Sequence, residues 1–206
     1  MALRDFQQVL SGMTLDVRFA SAVRKDGELA LTGYDLTSLE QERLVDVARQ
    51  PGMDLNCALS RGNRFAPIIE MFPLTCELLK PDLRELLDEL WNCHRPDNYQ
   101  LQGEEDAFAG LLAEKIARGE MLNPYAGEVF QYESACLELA RSLRYTPVEE
   151  LMDQATGSFR LTHFQHDPQI LLSALEKREV PPDGIQAGDY AVRITLQGDA
   201  LVAELV

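Results

Sequence analysis

The segment that most constrains the fold of this chain is residues 122–143, LNPYAGEVFQYESACLELARSL. Apolar and aromatic side chains recur there at spacings of three and four residues, which places them on one face of a helix. They are Tyr125, Val129, Tyr132, Cys136, Leu139 and Leu143. Asn123 is a favourable N-cap, and Pro124 suits the first helical position because its missing N–H would have no partner there. The sequence therefore predicts a helix over this segment, with Glu128 and Glu133 beside its apolar face.

Similar patterns predict helices along most of the chain before residue 154. Thr37 and Glu40 have the spacing of a capping box at the start of one of them. Another predicted helix, after Asp54, carries a continuous apolar stripe: Leu55, Ala58, Leu59, Gly62, Phe65, Ala66, Ile69 and Phe72. Pro67 falls inside this pattern, so we expect a kink or a break near residues 63–67.

After Gly157 the pattern changes to short strands. Residues 158–165 (SFRLTHFQ) predict a strand, and Asp167 with Pro168 predicts the start of a helix. The segments DYAVRITL, QGDA and LVAELV are typical of a β-hairpin. The sequence therefore predicts an α+β protein. An all-helical domain (1–154) precedes a small β-α-β-β domain (155–206) with about three antiparallel strands.

Composition excludes some classes of function. The 206 residues are 46 % hydrophobic, which is enough to bury a core. Acidic residues number 34 against 19 basic ones, giving a net charge of −15. Such a charge opposes nucleic-acid binding, which needs cations to displace phosphate counterions. No signal peptide or membrane span is visible, so we expect a cytosolic protein in which the four cysteines are reduced.

No familiar catalytic motif is present: the sequence lacks HExxH, GxSxG, Walker and GxGxxG patterns. The only grouping that suggests a metal is His163, His166 and Asp167. Residues three apart on a strand point to opposite faces, so we interpret these as surface side chains. We therefore predict no catalytic residue, no metal ligand and no cofactor in this chain.

The predicted C-terminal sheet suggests a binding role. A sheet of about three strands has an edge, and an exposed edge can bind an extended peptide by strand addition. The plainer interpretation, which spacing alone favours, is that the sheet only packs on its own helix and on the helical domain.

Residues 55–206 resemble a known family. The resemblance lies in three runs that precede the terminal hairpin: NRFAPIIEMFPLTCELL, DAFAGLLAEKIARGEMLNPYAGEVFQYESACLELA and FRLTHFQHDPQILLSAL. Its cues are the Phe72-Pro73 step, Pro124-Tyr125 followed by Tyr132-Glu133, and a C-terminal domain that opens with a strand and His-Asp-Pro. Similar patterns occur in the partner subunits of multinuclear non-heme iron oxidative enzymes. Of two pathways known for this family, methanobactin-type oxazolone formation and 3-thiaglutamate biosynthesis, the chain looks more like the partner subunits of the second.

The resemblance implies a non-catalytic subunit that forms a heterodimer with a TIM-barrel iron enzyme. The iron is held by that partner. The pair modifies a ribosomally made precursor peptide, often at cysteine, in natural-product (RiPP) biosynthesis. The subunit of this kind binds the leader of the precursor and presents the peptide to the iron site.

Two surfaces follow from this interpretation. For peptide binding, the candidates are on the C-terminal sheet: Phe159, Leu161, Tyr190, Val192 and Arg193. For the interface with the iron enzyme, the candidates lie within residues 122–143: Asn123, Pro124, Tyr125, Tyr132 and Glu133. The aromatic members of the second set could equally fill the core.

Two alternatives stay open on the sequence. A DNA-binding regulator could combine helices with a β-hairpin, but the net charge of −15 opposes it, and Arg61 and Arg64 are the nearest approach to a basic recognition face. A stand-alone metal-dependent enzyme would need His163, His166 and Asp167 to bind a metal.

Overall fold

A computed structural model describes residues 3–94, 103–145, 159–197 and 200–206, leaving aside the side chains of 143–145. The chain divides into two compact units, Met1–Ala66 and Pro67–Val206, hereafter unit 1 and unit 2. None of the helices in these ranges has both the length and the apolar character that crossing a membrane requires.

The described part of unit 1 is helical: α1 (Leu3–Leu15), α2 (Val17–Lys25), α3 (Gly27–Ala30), α4 (Ser38–Arg49) and most of α5 (Pro51–Met71). Asp16 accepts backbone hydrogen bonds in the first turn of α2, which satisfies N–H groups that lack helical partners. Thr37 and Glu40 form the predicted capping box of α4. The core that these helices share includes Val9, Met13, Val23, Leu44 and Ala48.

The buried side of α5 is not the side that the sequence predicts. Met53 and Cys57 belong to the core of unit 1. Leu55 and Leu59, members of the predicted stripe, are 61 % and 56 % exposed. The helix is apolar on both sides, so periodicity alone cannot choose between them. The helix also continues through Pro67, so the break that we expect as one of two outcomes near residues 63–67 does not occur.

Unit 2 contains the end of α5, followed by α6 (Pro73–Leu78), α7 (Leu83–Cys93), α8 (Glu104–Ala117), α9 (Ala126–Tyr145) and α10 (Pro168–Glu176). Phe72, just before α6, is central to its core. The centroid of its ring lies 6.1 Å from that of Phe108 and 5.7 Å from that of Phe130. Because large aromatic rings bury the most apolar area, these contacts hold α8 and α9 to the start of α6.

The helix α9 begins at Ala126 rather than at Pro124. Asn123 is used differently from the prediction, since its Oδ1 accepts a hydrogen bond from Tyr125 N at 3.0 Å. That contact is an Asx turn, in which the side chain stabilises a turn before the helix instead of capping it. The predicted core positions Val129 and Leu139 are 0 % and 1 % exposed, so the predicted face is the buried one.

The predicted β-α-β-β order of the C-terminal part is confirmed, and with it the α+β fold class. Strands β1 (Phe159–His166), β2 (Ala187–Gln197) and β3 (Ala200–Leu205) form an antiparallel sheet in that spatial order. Asp167 caps α10, with Pro168 in its first turn. One face of the sheet is turned to α9 and buries Phe164, Val192 and Ile194.

The predicted domain boundary, between residues 154 and 155, lies outside the described residues. Unit 2 contains α6 to α9 together with the sheet. A separate domain from 155 to 206 therefore stays a prediction.

The burial of α10 gives a matched test of this packing. Leu171 is 0 % exposed, whereas its neighbour Ile170 is 44 % exposed. We expect Leu171→Ala to lower the free energy of unfolding by about 2–5 kcal/mol, because it leaves a cavity. Ile170→Ala should cost less than about 1 kcal/mol. Urea unfolding followed by circular dichroism measures both, and equal losses would contradict the observed orientation of α10.

Candidate functional site

A groove of about 300 Å³ runs beside α9 in unit 2, hereafter the α9 groove. Its apolar walls come from the end of α5, from α6, from α9 and from β3: Met71, Leu74, Leu137, Ala140 and Leu201. Four side chains with polar groups also line it: Glu70, Tyr132, Glu133 and Cys136. A mostly apolar concavity with a few convergent polar groups is typical of a binding site.

Glu133 joins two walls of the groove. It is 5 % exposed, and its two carboxylate oxygens accept hydrogen bonds from Leu74 N and Thr75 N, both at 2.8 Å. These N–H groups belong to the first turn of α6, which otherwise has no partners for them and favours negative charge. Burial raises the pKa of the Glu133 carboxyl, and the hydrogen bonds act in the opposite direction without cancelling the effect.

Tyr132 and Cys136 lie one turn apart on α9. Burial raises the pKa of the Tyr132 hydroxyl, and it raises the pKa of the Cys136 thiol to about 11. Because the thiolate is the nucleophilic form of cysteine, Cys136 is protonated and unreactive near neutral pH. The side chains of Tyr132 and Cys136 are therefore uncharged near neutral pH, which favours their contact with an apolar group.

The groove adjoins one edge of the sheet. The outer strands of the described sheet are β1 and β3, and β3 contributes Leu201 to the groove. Val206 N donates to Ala191 O at 2.9 Å, so the backbone N–H of Val206 points toward β2. Backbone groups alternate along a strand, so the N–H and C=O groups of Leu201, Ala203 and Leu205 point away from β2. No strand of the described sheet pairs with that side of β3.

The five residues predicted to bind a peptide lie on two neighbouring strands and on both faces of the sheet. Phe159 and Leu161 lie on the outer strand β1, and they are 51 % and 46 % exposed. Tyr190, Val192 and Arg193 lie on the central strand β2. The strands on both sides pair with Val192 and Arg193, so their backbones form no open edge. The Arg193 guanidinium lies 5.5 Å from the centroid of the Phe159 ring, which brings these two predicted residues together.

The residues predicted to face an enzyme do not form one exposed surface. Glu133 is buried as the cap of α6, and Tyr132 is half-buried, with its ring centroid 6.1 Å from that of Phe164. Pro124 is exposed. Asn123 and Tyr125 form the turn before α9. The interface itself stays a prediction.

Of the two histidines considered as metal ligands, one is exposed and the other contacts Glu128. His163 is exposed, whereas His166 Nδ1 lies 2.7 Å from Glu128 Oε1, and His166 N donates to Glu128 Oε2 at 3.3 Å. The edge of the Tyr125 ring meets the His166 ring at a centroid distance of 4.8 Å. Glu128 thus links the first turn of α9 to the end of β1. In the described ranges, no cluster of three or more His, Cys, Asp or Glu side chains could hold a metal ion.

Sequence reasoning missed the groove itself. Ala140 and Leu201 carried no signal beyond ordinary apolar periodicity, and Cys136 was interpreted as a core residue. The contact from Glu133 to the start of α6 spans 59 residues, from Leu74 to Glu133. A buried carboxylate on the apolar side of a helix, beside a Phe-Pro helix start, is the one pattern that could have suggested it.

Comparison with known proteins gives no match, whether to a family model, a curated protein or a solved structure. The groove, the strand edge and the sequence pattern are therefore the features that bear on function.

The raised pKa of Glu133 predicts a pH dependence of stability. A carboxyl whose folded pKa exceeds its unfolded value of about 4.3 stabilises the fold most at low pH, and that contribution falls as pH rises through the folded pKa. The free energy of unfolding of the wild type, minus that of Glu133→Gln, should therefore be largest near pH 4 and decrease as the pH rises. Urea titrations at several pH values test this. A wild type that gains on the variant with rising pH would contradict the assigned direction.

Proposed function

We propose that this chain is a non-catalytic subunit that binds the leader of a ribosomally made precursor peptide and presents the peptide to a multinuclear iron oxidase. The observation that carries the proposal is the side of β3 that no strand of the described sheet pairs with, beside the α9 groove. An extended peptide added to β3 would gain main-chain hydrogen bonds and a place for its side chains at the same time.

The geometry of β3 supports strand addition there. The strand has six residues, Ala200–Leu205, and the outward backbone groups of Leu201, Ala203 and Leu205 are the ones available to a peptide. Each hydrogen bond of this kind contributes about 0.5–1.5 kcal/mol, so several are needed for useful affinity. Burial of the peptide's apolar side chains supplies the rest at about 25 cal/mol per Å².

Exposed apolar side chains on β3 are also available for contact with a peptide. Leu201 and Leu205 are 39 % and 47 % exposed, although both point to the face of the sheet that packs on α9. An added strand on this side would cover them and continue the sheet over the groove. The net charge of −15 would attract a basic peptide and repel nucleic acid.

The partner and the reaction rest on the sequence resemblance. We propose that the iron is held by a TIM-barrel enzyme that forms a heterodimer with this chain in the cytoplasm, and that the pair modifies cysteine in the precursor. This chain would contribute no catalytic group. Its task would be to hold the leader so that the other end of the peptide reaches the iron site.

Co-expression with a gene for the proposed TIM-barrel iron enzyme tests the pairing. Size-exclusion chromatography should give one peak with the two chains near 1:1, and iron analysis should find the metal only when the partner is present. Elution of this chain alone, without metal, would contradict the heterodimer. Metal bound to this chain alone would contradict the non-catalytic role.

A proline in β3 tests the peptide site. Ala203 is exposed, and its N–H points away from β2, so Ala203→Pro removes a donor from the open edge without breaking the β2–β3 ladder. We expect the affinity for the leader of the proposed precursor peptide to fall at least about tenfold, measured by fluorescence anisotropy. Ala203→Ser keeps the N–H and is the matched control. Equal affinity in both variants would contradict strand addition at β3.

A further inference from the structure

We infer that the α9 groove and Glu204 read two side chains of the bound peptide: a large apolar one and, three positions away, a basic one. This inference rests on the proposed function and specifies which peptides the site selects. Leu201 and Glu204 lie on opposite faces of β3, because they are three residues apart on a strand. One face presents the groove, and the other presents a carboxylate.

The groove side selects size. A strand added to β3 lies about 4.8 Å away, and its residue opposite Leu201 has its side chain on the same face as Leu201. That face leads into the α9 groove, whose volume of about 300 Å³ accepts a side chain as large as leucine, methionine or phenylalanine. Leu137 and Ala140 on α9 would contact it. The protonated Cys136 thiol adds no charge beside Leu137 and Ala140, so this part of the groove favours an apolar side chain.

The other face selects charge. Glu204 is exposed and pairs in register with Arg193 of β2. The Arg193 guanidinium lies over the Phe159 ring, 5.5 Å from its centroid. Among the described residues, no ion pair involves the Glu204 carboxylate. A cross-strand neighbour of opposite charge stabilises a sheet, so the peptide residue opposite Glu204 should be lysine or arginine.

The order of the two side chains reports the direction of the peptide. In an antiparallel complex the residue opposite Glu204 precedes the residue opposite Leu201, which gives basic-x-x-apolar. In a parallel complex the order reverses to apolar-x-x-basic. Whether the peptide runs parallel or antiparallel to β3, its apolar and basic residues are therefore three positions apart.

A displayed library tests the inference with the full chain. A yeast-displayed library of random octapeptides is sorted against the wild type, Ala140→Phe, Glu204→Lys and the control Glu179→Lys, an equal charge change at another exposed position. Wild-type selections should share a large apolar residue and a basic residue three positions apart. Glu204→Lys should replace the basic residue by an acidic one and weaken wild-type peptides about fivefold to tenfold.

Ala140→Phe fills the groove, so its selections should prefer small residues at the apolar position and keep the basic one. Glu179→Lys should select the same peptides as the wild type. If Ala140→Phe fails to fold, the charge exchange in Glu204→Lys decides alone. Selections without the spacing, or unchanged by Glu204→Lys, would overturn the inference. In that case loss of binding in Ala203→Pro would still support strand addition, whereas the absence of any binder would contradict both.

Discussion

The contact from Glu133 to the first turn of α6 is the interaction on which the candidate site depends. The helix α6 has six residues, too few to be stable by itself, so tertiary contacts must hold it in place. Glu133 does so by accepting two backbone hydrogen bonds from the far side of the groove. Phe72 supports the same point through its contacts with Phe108 and Phe130. These two anchors help to fix the walls formed by Leu74 and by α9 relative to each other.

The two outer strands of the sheet differ in a way that bears on function. Open edges promote aggregation, and proteins commonly protect them with charges, bulges or covering segments. The pairing of β1 is irregular between Phe164 and His166, where Glu128 binds the backbone N–H of His166. Exposed apolar side chains occur on both strands, since Phe159 and Leu161 of β1 are 51 % and 46 % exposed. The difference is that β3, whose Leu201 and Leu205 are 39 % and 47 % exposed, adjoins the α9 groove. An edge left in this state, beside an apolar groove, is understandable if another chain covers it.

Local patterns were sufficient for the elements and insufficient for the site. The turn residues and the period-two alternation after Gly157 predicted the β-α-β-β order, and Asp167-Pro168 predicted the start of α10. The prediction that Asn123 caps the helix is wrong, because its side chain stabilises the turn before α9 instead. The sequence signal for these two roles of asparagine is the same. The orientation of α5 was not predictable, because both of its sides are apolar. The groove depends on contacts between segments far apart in sequence, and no spacing within one segment encodes them.

Three of the four cysteines fit a subunit that works beside an oxidative centre, whereas the fourth, Cys93, is exposed. Burial raises the pKa of three of the four thiols: that of Cys57, that of Cys76 to about 12, and that of Cys136 to about 11. Oxidation of cysteine follows its thiolate character and its exposure, so these thiols resist it. If the proposed partner modifies a cysteine of the precursor, a presenting subunit must keep its own thiols from competing. Cys136 meets this requirement at the α9 groove, where its protonated thiol is an apolar contact surface for a peptide and is not nucleophilic.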